Sequence, residues 1–120
     1  MHQLLSGLAA LHDRGMVHRD IKPNNIMFKE DGRFELVITD FGLAKHLEDD
    51  HPFVQCGTPG FVAPEVFFLT GNQGVKDCAC DVFSMGVVFH ILLTGQPLFK
   101  AGTPKELFYK NSKMNFDLTQ

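Results

Sequence analysis

Side chains that could take part in phosphoryl transfer lie close together in one stretch, His18–Phe28. They are the carboxylate of Asp20, the ammonium group of Lys22 and the amide of Asn25, and a second acid, Asp40, follows. Magnesium-assisted phosphoryl transfer needs hard oxygen ligands for the metal and a proton acceptor for the attacking hydroxyl. It also needs a cation beside the moving phosphoryl group. The stretch supplies each kind of group, so this chemistry is the first hypothesis.

The spacing of these residues resembles the catalytic loop of eukaryotic protein kinases, H-R-D-x-K-x-x-N, with D-F-G after it. The loop here is residues 18–25, and the second motif is Asp40-Phe41-Gly42. Lys22, two residues after the acid, together with Thr58 in the peptide-receiving segment, resembles serine/threonine rather than tyrosine kinases. The run from Gly57 to Glu65, G-T-P-G-F-V-A-P-E, is most similar to the calcium/calmodulin-dependent type.

The resemblance implies a role for each polar residue of the loop. Asp20 would be the catalytic base, and Lys22 would contact the transferred phosphoryl group. The two magnesium ligands would be Asn25 and Asp40. Contacts with ATP are implied for four residues: Lys22, Asn25, Met27 and Asp40. ATP and Mg²⁺ are therefore the expected cofactors.

The resemblance also assigns structural or regulatory roles to further residues: His18, Arg19, Phe41, Gly42, Thr58, Glu65 and Asp81. We expect His18 and Phe41 to pack in a hydrophobic spine, and Gly42 to let the backbone turn after the metal ligand. Thr58 would lie beside the base. Asp81 would accept backbone N–H bonds from the catalytic loop, since a buried charge persists only when it is hydrogen-bonded. Glu65 would pair with an arginine of a later helix.

Arg19 usually holds a phosphorylated residue of the activation segment, here residues 40–65, in proteins of this family. The usual activating position, four residues before Thr58, is Val54, which has no hydroxyl. We therefore predict that Arg19 pairs with the acidic run Glu48–Asp50, so that activation does not need phosphorylation of the loop. The alternative is that this run is a solvated acidic tip.

Apolar spacing predicts the elements that position these residues. Residues 1–15 have leucines at helical spacing and end at a glycine, which indicates a helix. Two short strands, Ile26–Phe28 and Phe34–Thr39, are joined by a turn with an Asp-Gly pair. This hairpin would bring Asn25 and Asp40 to one end of a two-stranded ribbon.

The second half of the chain predicts a long loop and more helices. Residues 43–62 show no sustained period and read as a surface loop, and Ala63-Pro64-Glu65 opens a short helix. Residues 77–94 form a helix that is apolar on every side, which predicts that protein surrounds it. Thr103 begins a capping box with Pro at the first helical position, so a further helix starts over residues 103–110.

The expected fold class is α+β and mainly α, with one short β-hairpin and a long activation segment. Residues 1–120 resemble part of the C-terminal lobe of a protein kinase domain. We expect the N-terminal lobe, with its glycine-rich loop and strand lysine, and the last helices of the C-terminal lobe to be absent. The fragment alone would fold marginally and have negligible activity.

Composition excludes some classes of partner. Hydrophobic residues make up 44% of the 120 residues, as in globular proteins. The formal net charge of −3 gives no basic surface for nucleic acid or an anionic membrane. The longest apolar run, Val82–Leu93, is shorter than the roughly 20 residues that a membrane span needs.

The cysteines indicate a reducing compartment. The sequence has three cysteines, Cys56, Cys78 and Cys80. An odd number of cysteines argues against a disulfide framework. The first residues show no basic region of a signal peptide, and we expect an intracellular, cytoplasmic protein. A zinc site that combines Cys78 and Cys80 with histidines is the alternative, but this spacing is wrong for a structural zinc knuckle.

Two functional hypotheses follow. In the first, the chain is the core of a serine/threonine protein kinase that transfers the γ-phosphoryl group of ATP to a hydroxyl of a protein substrate. A regulatory domain outside this chain would be a further partner. In the second, the chain is a truncated, non-catalytic module that acts through protein contacts. The presence of all four proposed active-site residues favours the first, because a scaffold has no chemical need for them.

Overall fold

The computed structural model describes residues 1–51, 55–69 and 77–119. Within these ranges the chain contains three α-helices, two 3₁₀ helices and two small antiparallel sheets, which confirms the mixed α+β class. The α-helices are α1 (His2–Asp13), α2 (Ala79–Thr94) and α3 (Pro104–Ser112). The strands are β1 (Met16–Val17), β2 (Ile26–Phe28), β3 (Leu36–Ile38) and β4 (Lys45–His46). The 3₁₀ helices are Pro23–Asn25 and Pro64–Phe68.

The core joins α1, α2 and residues 18–25, the predicted catalytic loop. Leu4 and Leu8 lie one turn apart on α1 and pack with Ile21 of the loop and with Met85 and Val88 of α2. Because side chains four residues apart share one helix face, α1 turns this apolar stripe toward the loop. The chain then leaves α1 through Gly15, whose φ of 71° suits a glycine after a helix end.

The predicted hairpin is present, and its second strand is shorter than expected. β2 and β3 are antiparallel, with Ile26 opposite Ile38 and Phe28 opposite Leu36. Phe34 lies outside the strand and is 88% exposed. The Gln3 side chain of α1 donates to the Phe34 carbonyl and accepts from the Leu36 N–H. The other edge of β3 is therefore bonded to a side-chain amide.

The prediction of a loop without strands over residues 43–62 was wrong at one place. Lys45–His46 is β4, which pairs with β1 so that Met16 lies opposite His46. The Leu47 N–H also donates to the Gly15 carbonyl, at 2.7 Å. Two-residue strands are too short to show a period in the sequence, so this pairing had no sequence signal.

The helix predicted over residues 77–94 is α2, which is buried on one side and exposed on another in the described part of the chain, and the expectation that protein surrounds it stays a prediction. Met85, Val87 and Val88 are buried, whereas Leu92 and Leu93 are more than half exposed. Hydropathy indicates a preference for burial but does not say whether the covering atoms belong to the same chain. No helix among the described residues is both long and apolar enough to cross a membrane.

The capping box before α3 forms with one change from the usual pairing. Thr103 Oγ1 accepts a hydrogen bond from the Glu106 N–H at 3.2 Å, as predicted. The Glu106 carboxylate reaches back to the N–H of Gly102, one residue earlier than the capping box requires. Hydrogen bonds from Lys110 and from this N–H lower the pKa of Glu106. The ionised Glu106 carboxylate therefore contributes its full stabilisation of the fold above pH 4.5, the ordinary pKa of a glutamate, and loses it as the pH falls further.

We predict that Thr103→Ala lowers the free energy of unfolding by about 1 kcal/mol, because it removes the side-chain acceptor at the start of α3. Urea denaturation followed by circular dichroism measures the change. Thr119→Ala is the matched control, since that hydroxyl bonds only to its near neighbour Asp117 in the described structure. Equal urea midpoints for the Thr103 variant and the unmodified chain would contradict the capping role.

Candidate active site

The backbone is strained at the two predicted motifs. Arg19 in the catalytic loop has a φ of 69°, and Asp40 has a φ of 58°. Positive φ is costly for residues other than glycine and persists only where surrounding contacts hold it. Among the described residues, Met114 is the other non-glycine residue with this geometry. The two motifs therefore have conformations that must be held by specific contacts.

Asp81 of α2 supplies those contacts to the catalytic loop. Its side chain is fully buried. Oδ2 accepts the His18 N–H and Oδ1 accepts the Arg19 N–H, both at 2.8 Å. These bonds match the anchoring role implied by the resemblance. They hold the two residues that precede Asp20 and keep Arg19 in its strained conformation.

His12, at the last turn of α1, also contacts this carboxylate. Its Nε2 lies 2.9 Å from Asp81 Oδ2, so three nitrogen atoms surround one buried acid. His12 belongs to none of the motifs in the sequence. Its contact spans 69 positions, and its own neighbourhood shows only a histidine near a helix end.

Asp20, Lys22 and Thr58 form a closed set of contacts. The Thr58 hydroxyl donates to Asp20 Oδ1 at 2.6 Å and accepts from Lys22 Nζ at 2.7 Å. Lys22 Nζ lies 3.3 Å from Asp20 Oδ2. The structure thus brings together the proposed base, the proposed cation and the threonine that was expected beside them.

Asn25 fixes the same carboxylate from the other side. Its Nδ2 donates to the Asp20 carbonyl at 2.8 Å and to Asp20 Oδ2 at 3.2 Å. These bonds do not use the amide oxygen, which is the atom that could bind a cation. The Asn25 backbone carbonyl accepts the Thr39 N–H at 2.8 Å, so the end of the hairpin joins the residue before Asp40 to the catalytic loop.

The Asp40 carboxylate is exposed, and its Oδ1 accepts the Gly42 N–H at 3.1 Å. A Cβ atom at Gly42 would lie 3.1 Å from the same oxygen, so a side chain there would crowd the carboxylate. The oxygens of Asn25 and Asp40 are the hard ligands that Mg²⁺ prefers, and Mg²⁺ usually completes its shell with phosphates and water. On donor chemistry, these residues fit the metal that the resemblance implies.

His18 connects the two motifs. Its ring is fully buried, with Nε2 2.9 Å from the Thr39 carbonyl and Nδ1 3.2 Å from the Asp20 N–H. Because Nδ1 accepts, the proton must lie on Nε2, which donates. The ring meets Phe41 edge to face, at a centroid distance of 5.2 Å. The buried His18 ring contacts a Phe41 ring that is half exposed, and the expected hydrophobic spine stays a prediction.

Arg19 and Glu65 line the same small cavity, together with Cys56 and Cys80. Arg19 Nε donates to the Leu43 carbonyl at 2.7 Å. The predicted pairing of Arg19 with residues 48–50 stays a prediction, as does the pairing of Glu65 with a later arginine. Val54, the position without a hydroxyl, lies outside the described residues.

The cysteines are neutral thiols in this environment. Burial raises the pKa of Cys80 to about 12, and it also raises the pKa values of Cys56 and Cys78. A thiol must lose its proton to bind zinc. Across residues 1–51, 55–69 and 77–119, no group of three or more His, Cys, Asp or Glu side chains is arranged to hold a metal ion.

The family model of the protein kinase domain matches residues 1–120. The chain belongs to the protein kinase family. The chain is 40% identical over 114 residues to the probable serine/threonine-protein kinase 2 of Plasmodium falciparum. This alignment covers 94% of this chain and 22% of that protein. These findings confirm the family that the loop motifs predicted.

Two further relatives support this conclusion. Identity is 38% over 118 residues to calcium/calmodulin-dependent protein kinase type 1 of Caenorhabditis elegans, covering 98% of this chain and 33% of that one. It is 39% over 119 residues to CBL-interacting serine/threonine-protein kinase 5 of Arabidopsis thaliana, covering 96% and 26%. The kinase chain therefore spans about a fifth to a third of the length of these relatives.

We predict that Asp81→Ala destabilises the fold by about 3 kcal/mol or more, because it leaves the buried N–H groups of His18 and Arg19 without an acceptor. Urea denaturation and the melting temperature report the loss. Asp13→Ala is the control, because this exposed acid lies at the end of α1, and it should change stability by less than about 0.5 kcal/mol. An Asp81 variant that lost activity with an unchanged melting temperature would contradict the anchoring role.

Proposed function

We propose that the protein is a serine/threonine protein kinase that transfers the γ-phosphoryl group of ATP, with Mg²⁺, to a hydroxyl of a protein substrate. The observation that carries this proposal is the closed set of contacts among Asp20, Thr58 and Lys22, restrained by Asn25. It places a carboxylate and a cation side by side in a fixed geometry. Positioned charges of this kind are what phosphoryl transfer needs from a protein.

Asp20 accepts or orients the proton of the substrate hydroxyl. Its carboxylate is held by Thr58 on Oδ1 and by Asn25 on Oδ2, so it cannot rotate freely when the substrate arrives. General base catalysis by a positioned side chain contributes roughly 10²–10⁴-fold to a rate. The restraint matters because the base must lie within hydrogen-bonding distance of the proton that it takes.

Lys22 supplies positive charge where the phosphoryl group moves. Its ammonium group is 2.7 Å from Thr58 Oγ1 and 3.3 Å from Asp20 Oδ2. A cation held in advance stabilises negative charge in the transition state without reorganising during the reaction. Because Thr58 contacts both charged groups, it keeps the separation of base and cation constant.

Asn25 and Asp40 would hold Mg²⁺ through their side-chain oxygens. When bound, the metal ion neutralises charge on the phosphates and orients them for in-line attack. Met27 lies on β2, directly after the loop, and its side chain is half exposed. It gives the nucleotide an apolar contact on the strand that begins next to Asn25.

Relatives and composition support the proposed substrate class and location. The relatives are named as serine/threonine or calcium/calmodulin-dependent kinases, and the net charge of −3 does not favour nucleic acid. A protein substrate with serine or threonine is therefore proposed, with a regulatory domain outside this chain as a further partner. The free cysteines fit an intracellular, cytoplasmic location.

We predict that Asp20→Asn in the full-length gene product lowers kcat by about 10²-fold or more, because an amide cannot accept the substrate proton. Transfer of radiolabel from ATP to a generic serine/threonine protein, with magnesium present, measures kcat. The matched control is Asp31→Asn, which changes an exposed acid at the tip of the hairpin and should keep full activity.

The same assay separates this proposal from the non-catalytic alternative. A non-catalytic module would give no transfer with the unmodified protein, and Asp20→Asn would change nothing. Equal transfer by the unmodified protein and by Asp20→Asn would also contradict the role of Asp20 as base. Omission of magnesium should abolish the signal if Asn25 and Asp40 bind the metal that positions the phosphates.

The acidic run offers a separate prediction about regulation. We propose that Glu48–Asp50 compensates the charge of Arg19 and replaces a phosphorylated residue of the activation segment. The combined change Glu48→Gln, Asp49→Asn and Asp50→Asn should then lower kcat of the full-length protein by about 10-fold, since ordering of the segment depends on the pairing of this cation. Phosphatase treatment of the unmodified protein should have no effect. Unchanged kcat in the triple variant would exclude this pairing.

A further inference from the structure

Asn111 lies in the last turn of α3, and its side chain is fully buried. Its Nδ2 donates to the Val62 carbonyl at 2.9 Å, and its Oδ1 accepts the Gly60 N–H at 2.8 Å. The two bonds connect α3 to a segment about 50 positions earlier in the chain. A buried polar side chain with both ends bonded to one loop is a specific tether between two elements.

The segment Gly57–Val62, here called the substrate loop, is held at three consecutive residues. Asn111 bonds Gly60 and Val62, and Ser84 of α2 donates to the Phe61 carbonyl between them at 2.6 Å. Gly60 has a φ of 95°, so the backbone adopts a left-handed conformation where the first of these bonds forms. The loop has little freedom to move relative to the two helices.

The substrate loop also belongs to the proposed active site. Thr58 within it bonds Asp20 and Lys22, so a shift of the loop changes the surroundings of the base. A groove of about 410 Å³ lies between the loop and the start of α3, and Thr58, Pro59, Thr103 and Leu107 are among its lining residues. A substrate hydroxyl at Asp20 would place the neighbouring peptide residues against this loop.

We propose that Asn111 is a positioning residue for the protein substrate. Its carboxamide fixes the substrate loop against α3, so that the peptide meets a preformed surface beside Asp20. This inference rests on the proposed kinase function. An amide is suited to the task, since it offers one donor and one acceptor to two backbone groups of opposite kind. The role depends on hydrogen bonding, and side chains of the same size with different polarity can test it.

The test compares Asn111→Leu, Asn111→Asp and the control Ser112→Ala in the full-length gene product. Leu is close in shape and forms neither bond, whereas Asp keeps the acceptor for Gly60 and loses the donor to Val62. Among the residues that the structure describes, the Ser112 hydroxyl bonds within α3, to the Tyr109 carbonyl. The assay measures phosphotransfer to a serine peptide, and amide hydrogen exchange reports on the substrate loop.

We expect Asn111→Leu to raise the KM for peptide by about 10-fold, because a bond to the backbone is worth up to roughly a factor of ten. Asn111→Asp should raise it at least as much, because one oxygen of the buried carboxylate would face the Val62 carbonyl oxygen. The KM for ATP should stay within about twofold for both, since neither substitution touches the proposed nucleotide contacts. The amide of Gly60 should exchange faster in Asn111→Leu. A merely structural role would lower the folded fraction, which changes the apparent kcat but not KM.

Unchanged peptide KM in an active Asn111→Leu protein would overturn the inference and leave the kinase proposal intact. An equal rise in the KM for ATP and for peptide would also overturn it, because the effect would then not be specific to the substrate side. Absence of phosphotransfer in the unmodified protein would instead overturn the proposed function, and the positioning role with it. A change in Ser112→Ala equal to that in Asn111→Leu would assign the effect to α3 in general.

Discussion

The buried carboxylate of Asp81 is the constraint on which the active-site geometry depends. An acid taken out of water costs several kcal/mol unless its oxygens are fully bonded, and three nitrogens meet this requirement here. Two of them are backbone N–H groups of consecutive loop residues. The need to satisfy the charge and the need to hold Arg19 at positive φ are therefore met by the same bonds. A conformation of the loop that withdrew these two N–H groups would leave one of the Asp81 oxygens, Oδ1, without the bond that it accepts from Arg19.

The bonds from Asp81 also restrict the position of Asp20, which follows His18 and Arg19 in the loop. Once His18 and Arg19 are fixed, the direction in which the chain enters Asp20 is fixed too. Thr58, 38 positions later, then joins Asp20 and Lys22 through one hydroxyl. Lys22 and Asp20 also contact each other directly, with Nζ 3.3 Å from Oδ2. The Thr58 hydroxyl adds a second link between the two groups, so each keeps a defined place, which is what a preorganised site requires.

Sequence reasoning found the residues whose spacing is local and missed those whose contacts are distant. Asp20, Lys22 and Asn25 lie within one short motif, so their types and intervals, with Asp40-Phe41-Gly42 after them, were enough to predict the family. His12 and Asn111 carry no motif, and each acts on residues about 50 or more positions away. Such contacts depend on how helices are placed in space, which single-sequence periodicity does not determine.

The exposed side of α2 shows a further limit. The hydropathy of its residues alone predicts burial, but Leu92 and Leu93 are exposed in the described structure. Burial depends on which other segments pack against the helix, and hydropathy does not say which these are. The strand β4 was not predicted for a different reason, because two residues are too few to show an alternating apolar pattern. In both cases the missing information concerned the partner of a segment and not the segment itself.

α2 acts as a common reference for the two loops of the site. Asp81 and Ser84 lie three residues apart on this helix, so they project from neighbouring positions on one face. The first holds the catalytic loop, and the second holds the substrate loop at Phe61. Because both loops are bonded to one rigid element, helix geometry, and not the long segment between them, sets the position of Asp20 relative to Phe61. Asn111 adds a tether from α3, and a movement of that helix would displace the substrate loop while the bonds from Asp81 to the catalytic loop stayed in place.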